Sequence, residues 1–564
     1  MSGSFGDEAG QVPDSTKDSA SVALSKGEAD DEAMLRSMGY KQELKRSLNG
    51  FQNFAISFTV VSVLTGLTGL YGLGLTYGGP VAVIWGWPLV SFFTLCVALS
   101  MAEICSAYPT SGALYFWSAK LAGARWAPLA SWVTGWFNLL GQWAVTAGID
   151  FTLASFLSTI ILCGTGGANG GGWVATQAQL LGIYAATLVC HGLLNTFANS
   201  ILGFLNGISV VWHVVGTFAF MIALLCVAPT HQSASYVFTE FSKPDVGIGS
   251  SALIFMLGLL MSAFTLTGYD ASAHLTEETK SASKSGPRGI IMTVVVSFVV
   301  GWMYLLSLTF SIQDPANLFS SDSVTGGTYA TAQVIWDAFA ARYGDGKRSI
   351  ALMVVPLMGQ FFCGMASVTS NSRMLYAFSR DGAVPGHRWW HHLNPRTKTP
   401  VNAVWLSVLI AFILGLPVLD STMVFTAVTS IATVGLYISY VIPSFLRITI
   451  YRKSFQRGPF HLGVLSIPIG MVAVTWVIFL TVIFVLPTAY PVTKENLNYA
   501  GVAVAVVLIF SLGWWFLPFG LGARHWFKGP QTQFHTSDSA YFDLQPAQDD
   551  TVLETIGKRM PVVV

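Results

Sequence analysis

The 564 residues are 53% hydrophobic and only 10% charged, with a mean hydropathy of +0.58 and a net charge of +1. An ordinary soluble domain carries about 25% charged residues, so this composition excludes a water-solvated globule. The near-neutral balance provides no global field for nucleic acid, so positive charge has to be read locally.

Residues 1–40 are polar and acidic, with Asp7, Glu8, Asp14, Asp18, Glu28, Asp30, Asp31 and Glu32, and read as a disordered cytosolic tail. They fit neither a secretory signal nor an Arg-rich presequence. From Phe51 to Leu521 apolar runs of about 20 residues recur, each able to cross ~30 Å of hydrocarbon. They predict twelve spans: 51–77, 80–107, 126–163, 178–197, 200–228 and 251–276, then 288–312, 349–379, 400–417, 422–447, 463–487 and 499–521. The third run is too long for one straight span, so tilt or an extension beyond the bilayer is expected. Residues 526–564 form a polar, cytosolic C-terminal tail. Lys and Arg set the orientation. With the N-terminus inside, inner loops and helix ends hold nineteen of them, among them Lys45, Arg380, Arg396 and Lys398, and the outer side five, Lys243, Arg342, Lys347, Arg348 and Lys494.

The six cysteines show no disulfide framework or zinc spacing and read as free thiols, although Cys163 and Cys226 fall near one another's predicted side. In the first span Gly66, Gly69, Gly72 and Gly74 are poor helix formers, with Thr65 and Thr68 beside them. They read either as a close helix contact or as an unwound stretch from Leu64 to Gly69, whose free amides, with the positive end of the following half-helix, take a carboxylate. In the sixth span Thr265, Leu266, Thr267, Gly268, Tyr269 and Asp270 interrupt an apolar run. A break there exposes carbonyls near Phe264 to Thr267 that suit an ammonium. Asp270 is expensive in a bilayer and reads as a helix N-cap or a ligand contact. The Ser62 to Gly69 segment echoes Ser262 to Gly268 five helices later, which puts the second copy upside down.

Glu103 and Asp150 read as helix-end residues that snorkel or pair with loops. His213, mid-run in the fifth span, is either a proton carrier or a hydrogen-bonding partner between helices. Ser367, Thr369, Ser370 and Asn371 in the eighth span line an ion pocket or bond across helices. The His387, His391, His392 cluster lacks the companion histidines of a di-iron enzyme, and His191 and the others are isolated, so no metal and no enzyme is expected. The Gly164 to Gly172 loop has no following Lys-Ser/Thr and reads as a connector, so neither ATP nor another cofactor is implied.

Several stretches together resemble the amino acid-polyamine-organocation superfamily of permeases, most closely plant-type bidirectional amino-acid transporters related to fungal GABA permeases. They are Gly39 to Arg46, Pro109 to Tyr115, Trp126 to Asn138, Leu266 to His274, the pair Glu277-Glu278, and Ser370 to Gly382. The resemblance covers 39–530. It implies an all-α membrane protein with a LeuT-like 5+5 inverted repeat and broken helices 1 and 6. The repeats would be 41–250 and 251–450, with helices 11 and 12 in 451–525. By the same resemblance, amides of Thr65, Gly66, Leu67, Thr68 and Gly69 take the carboxylate and carbonyls around Phe264 to Thr267 the amine. Helices three, eight and ten supply walls, with Gln142, Trp143, Ser367 and Tyr437 as wall residues. Ala113 replaces a glycine usual in relatives. The fifth helix lacks the lysine that many bacterial relatives carry, which leaves the coupling ion open.

The expected function is secondary transport of amino acids, GABA and α-amino acids, by alternating access, with proton coupling or bidirectional exchange open. The alternatives are a same-fold carrier of choline or polyamines, and an amino-acid receptor without net transport. The expected partners are the amino acid, protons and the bilayer, with no nucleic acid and the oligomeric state open. The expected location is a plasma or organelle membrane, mitochondrial or Golgi among them.

Overall fold

The computed structural model describes residues 26–530 apart from 45, 198, 396, 398, 420–423 and 494–496. Most of both expected tails, and Lys45, Arg396, Lys398 and Lys494 of the charge pattern, lie outside the described residues. Among the described residues the chain is helical throughout, with one isolated bridge, Leu48 to Thr279.

A short helix α1 (Lys26–Ser37) precedes the first apolar run, which is two helices, α2 (Gly50–Val60) and α3 (Val63–Thr76). Asn49 and Gln52 close a reciprocal capping box at the start of α2, so the chain enters the bundle with its first amides satisfied. After a left-handed Gly78 comes α4 (Gly79–Ala107). The expected third span is the end of a much longer helix, α5 (Ala113–Thr165), which begins thirteen residues before the expected start and turns at Gly123 (φ 73°). Its apolar run hides this start because 113–125 packs as a helix at the bundle's basic end. Ala113 itself sits at φ 43°, a region that favours glycine, which gives the departure from the family pattern a physical cost.

Then come α6 (Gln177–Phe197) and the fifth run, which is α7 (Asn199–Val211), a π turn at Trp212–Gly216 and α8 (Thr217–Val227). A short α9 (Ala234–Thr239) leads to the sixth run: α10 (Ser251–Gly258), α11 (Leu260–Thr265), an irregular stretch, and a four-residue α12 (Ala271–His274). The rest is α13 (Ala282–Phe310), an unforeseen α14 (Ala330–Tyr343), α15 (Ser349–Arg380), α16 (His387–Trp390), α17 (Val401–Gly415), α18 (Val424–Ile448), α19 (Ser466–Val485), α20 (Tyr499–Phe516) and α21 (Ala523–Trp526).

Eleven helical segments among the described residues are long and apolar enough to cross a membrane, and Ser251–Thr265 is a shorter apolar one. The chain is therefore an integral, multi-pass membrane protein. Gly50–Thr76 is the most enclosed, with 89% of its apolar window buried, and Tyr499–Phe516 the least, with 22%. The two lie at the centre and rim of the bundle. At the rim, Trp132 of α5 is buried among Trp136, Trp514, Trp526 and Phe527, with ring centroids 5.3 to 5.7 Å away. The six cysteines are free thiols, Cys163 buried and Cys226 exposed.

Candidate functional site

The two interrupted runs meet. A small cavity is lined by Val60, Ser62, Thr65 and Gly66 from the first run, Phe264, Thr265 and Thr267 from the sixth, Val145 and Ile149 of α5, and Cys363 of α15.

The first break lies at Val61 and Ser62, so the stretch expected to unwind, Leu64 to Gly69, is instead the start of α3. Ser62 does the work that glycine was expected to do. Its hydroxyl accepts from the amide (3.2 Å) and the hydroxyl (2.8 Å) of Thr65, and its carbonyl accepts the amides of Thr65 and Gly66 (both 3.1 Å). The amides of Val63 and Leu64, which head the half-helix, have no intrahelical partner by position. The amides left without an intrahelical partner therefore begin two residues before the expected ones.

Gly66 and Gly69 serve close packing. A Cβ on Gly66 would stand 2.3 Å from the Thr265 hydroxyl, and one on Gly69 2.5 Å from Thr152 Cγ2. Leu67 is fully buried, and Thr68 turns away from the cavity to bond the Tyr304 hydroxyl at 2.6 Å.

The sixth break falls where the sequence places it. α11 ends at Thr265, Gly268 is left-handed (φ 93°), and a helical turn resumes at Ala271. Of the carbonyls expected to face an amine, that of Phe264 is occupied, accepting from the Thr267 amide (3.0 Å) and hydroxyl (2.6 Å). Leu266 and Tyr269 are buried, and the Tyr269 hydroxyl has no hydrogen-bond partner. Asp270 makes no side-chain cap. It is a hub instead: Oδ1 accepts from Tyr440 (2.7 Å), and Oδ2 from Gln142 (2.9 Å) and Asn138 (3.2 Å), with His274 at 3.3 Å. That carboxylate is saturated by protein groups and ties the sixth run to α5 and α18.

The wall residues inferred from the resemblance lie outside the cavity lining. Gln142 is spent on Asp270, Trp143 points its indole N–H at Ser407 (3.3 Å), and Tyr437 bonds Thr94 (3.1 Å). Ser367 bonds Thr146 (2.7 Å), Thr369 donates to Asn195 (2.6 Å), and the buried Ser370 hydroxyl has no partner. Among the described residues none of α18 lines the cavity; the walls come from α5 and α15.

His213 lies in the π turn. Nδ1 is 2.8 Å from the Ser209 carbonyl and Nε2 2.8 Å from the Ser62 hydroxyl. With the proton on Nδ1, both ring nitrogens of a neutral imidazole are satisfied, and the fifth run is fastened to the first break.

Two acids expected near helix ends are enclosed. Glu103 accepts from the Ser466 hydroxyl and the Leu462 amide (3.2 Å), with Arg447 at 4.0 Å. Asp150 is fully buried against His191 at 3.0 Å, so His191 is not isolated.

At the basic end, Glu277 accepts from the Ser111 hydroxyl (2.6 Å) and lies 3.3 Å from Arg380. Burial alone would raise its pKa, but Arg380 and the Ser111 bonds outweigh it and hold the carboxyl below its usual range. Glu278 pairs with Arg373 at 3.1 Å, while Asp31 of α1 accepts the amides of Ser281 (2.7 Å) and Ala282 (3.1 Å) at the head of α13. Sequence reasoning passed over Ser62, Val145, Ile149 and Cys363. Of these only Ser62, a favoured N-cap residue ahead of an apolar run, carried a readable signal.

Residues 48–510 match the family model described as amino acid permease. The chain is 51% identical over 497 residues to amino-acid permease BAT1 of Arabidopsis thaliana, covering 88% of this chain and 95% of that protein. It is 50% identical over 501 residues to the BAT1 homolog of Oryza sativa subsp. japonica (89% and 95%), and 33% identical over 504 residues to an uncharacterized amino-acid permease of Schizosaccharomyces pombe (89% and 90%).

Proposed function

The chain belongs to the amino acid permease family, and from that premise we propose that it is a secondary transporter carrying amino acids, GABA and α-amino acids among them, by alternating access. The family makes it a transporter rather than an enzyme. The observation that carries the finer reading is the cavity lined by residues at both helix breaks. In this reading the two breaks open around a zwitterion, one facing each of its charged groups. The head of α3 offers unbonded amides and a positive dipole to the carboxylate, and the end of α11 offers carbonyls other than that of Phe264 to the amine.

Counting the interrupted sixth run with the eleven long segments gives twelve crossings and supports two inverted five-helix repeats. In this reading both termini are cytosolic, and the end bearing Arg380, Arg373 and Glu277 faces the cytosol. One half of the bundle rocks against the other, opening the cavity to each side in turn. His213 acts as the strut of the first break, because its neutral form already satisfies both ring nitrogens.

The test is uptake of labelled GABA, arginine and glutamate by proteoliposomes holding the purified protein, with and without a proton gradient. Saturable uptake of at least one of them is expected. Saturable binding with no uptake would overturn transport and leave a receptor. Choline or polyamine uptake with no amino-acid uptake would overturn the substrate class, since neither has a carboxylate for the amides of α3.

A further inference from the structure

We propose that Asp150 of α5 and His191 of α6 form a proton-binding site whose occupancy is linked to that of the amino-acid cavity. The inference rests on the transport reading above. It concerns a pair that the sequence separates by forty-one positions and the fold brings together.

Both side chains are wholly buried, with Asp150 Oδ1 3.0 Å from His191 Nδ1. The contact is close but outside hydrogen-bond alignment, and neither carboxylate oxygen nor either ring nitrogen has a hydrogen-bond partner. Every other buried acid described above is well bonded. Asp270 and Glu277 each accept several hydrogen bonds, and Glu103 accepts two. A buried polar group left unsatisfied is destabilising, and more so when charged, so a pair whose Asp150 Oδ2 and His191 Nε2 both lack a partner points to a role other than stability.

Glycine makes room for the pair. A Cβ on Gly364 of α15 would fall 2.3 Å from Asp150 Oδ1 and 2.5 Å from His191 Cε1. Among the described residues no further charged group pairs with either side chain. The titratable groups that feel Asp150 are the Tyr184 phenol and Cys190 thiol of α6 and the Cys363 thiol of α15. The Tyr184 hydroxyl donates a hydrogen bond to the Ala411 carbonyl of α17. Phe361 of α15 lies 4.8 Å from the His191 ring, and Asn195 of α6 donates to the His191 carbonyl (2.9 Å).

On two helices the site and the cavity lining are immediate neighbours in sequence. Ile149 and Cys363 line the cavity, while Asp150 and Gly364 beside them form the site. Cys363 also donates to the Val60 carbonyl at the first break (3.3 Å), so the pair stands behind the end that takes the substrate carboxylate.

The linkage follows from charge. With one proton between them the pair is neutral. Without it, Asp150 leaves a net negative charge in apolar surroundings. A substrate carboxylate at the α3 end repels that charge, so carboxylate and proton favour each other's binding, reciprocally. The proton comes from water on the side to which the cavity is open and leaves to water on the other side. No bond other than N–H or O–H forms or breaks.

The experiment has two arms. Calorimetric titration of purified wild-type protein with GABA, arginine and glutamate, in buffers of different ionisation enthalpy, counts protons taken up on binding. Uptake approaching about one proton per substrate is expected in the wild type and none in Asp150→Asn. In proteoliposomes, Asp150→Asn and His191→Gln are expected to lose gradient-driven accumulation about tenfold or more, with counterflow reduced far less, about threefold at most. Proton-free binding by the wild type overturns the proposal without any variant. So does accumulation at wild-type level in both variants, or its loss in His213→Gln with retention in Asp150→Asn. A wild type that binds but does not transport overturns the transport reading instead.

Discussion

The two interrupted helices achieve the same end by different means. The first break is two residues long, contains no glycine, and is held by one hydroxyl: Ser62 caps α3 and reaches His213 across to the fifth run. The second spans Leu266 to Asp270, turns through the left-handed Gly268, and is anchored by a carboxylate that gathers Tyr440, Gln142, Asn138 and His274 from three directions. The first is a light hinge fastened at a point. The second is a wide gap braced by a buried charge. The comparison teaches that helix interruption in a bilayer depends on what satisfies the freed groups, and that either a cap or a hub suffices.

The comparison can be broken at its strongest point first. Asp270→Ala strips four buried partners of their acceptor, and breaking such a buried network costs about 3–5 kcal/mol. Loss of uptake with a large fall in thermal stability in detergent is expected. Near-wild-type melting would mean that the hub braces nothing.

Gly66→Val comes next. Its Cβ would meet the Thr265 hydroxyl at 2.3 Å, at the crossing of the two breaks. Overpacking of this kind costs about 1–3 kcal/mol, and uptake should fall more steeply than stability because the crossing borders the cavity. Adding Thr265→Ala should restore part of the uptake. No rescue would locate the damage elsewhere.

The smallest effect belongs to the hinge. Ser62→Ala removes a cap worth about 1 kcal/mol and frees His213 Nε2. A several-fold loss of substrate affinity with little change in melting is expected, read from saturation curves. An effect as large as that of Asp270→Ala would erase the distinction between point and brace.

What could be read from the sequence follows the same line. The second break was visible because its signals, a glycine and an acid inside an apolar run, are local. The first was misplaced by two residues because glycine was taken as the sign of unwinding, whereas Gly66 and Gly69 are there to let Thr265 and Thr152 approach. Helix spans were legible within a few residues wherever apolar runs ended in charge. α5 was not, since its first ten residues continue the same composition around a turn at Gly123. The echo between the Ser62 and Ser262 segments does not register the breaks, since Ser62 lies at the first break and Ser262 within α11. The cavity's walls did not follow from residue types: Val145, Ile149 and Cys363 are ordinary in any membrane helix. Nor could forty-one positions of separation announce that Asp150 and His191 would share one pocket.

The crowd of rings around Trp132 has a use of its own. Three tryptophans within 5.7 Å of it are near enough for their excited states to mix, which gives this corner an optical signature distinct from that of solitary indoles. Trp132 belongs to α5, the helix that also carries Ile149 and Asp150, while Trp514 and Trp526 belong to the outer rim. Near-ultraviolet dichroism of the unlabelled protein would therefore report, without any attached dye, whether α5 moves against its neighbours when substrate arrives.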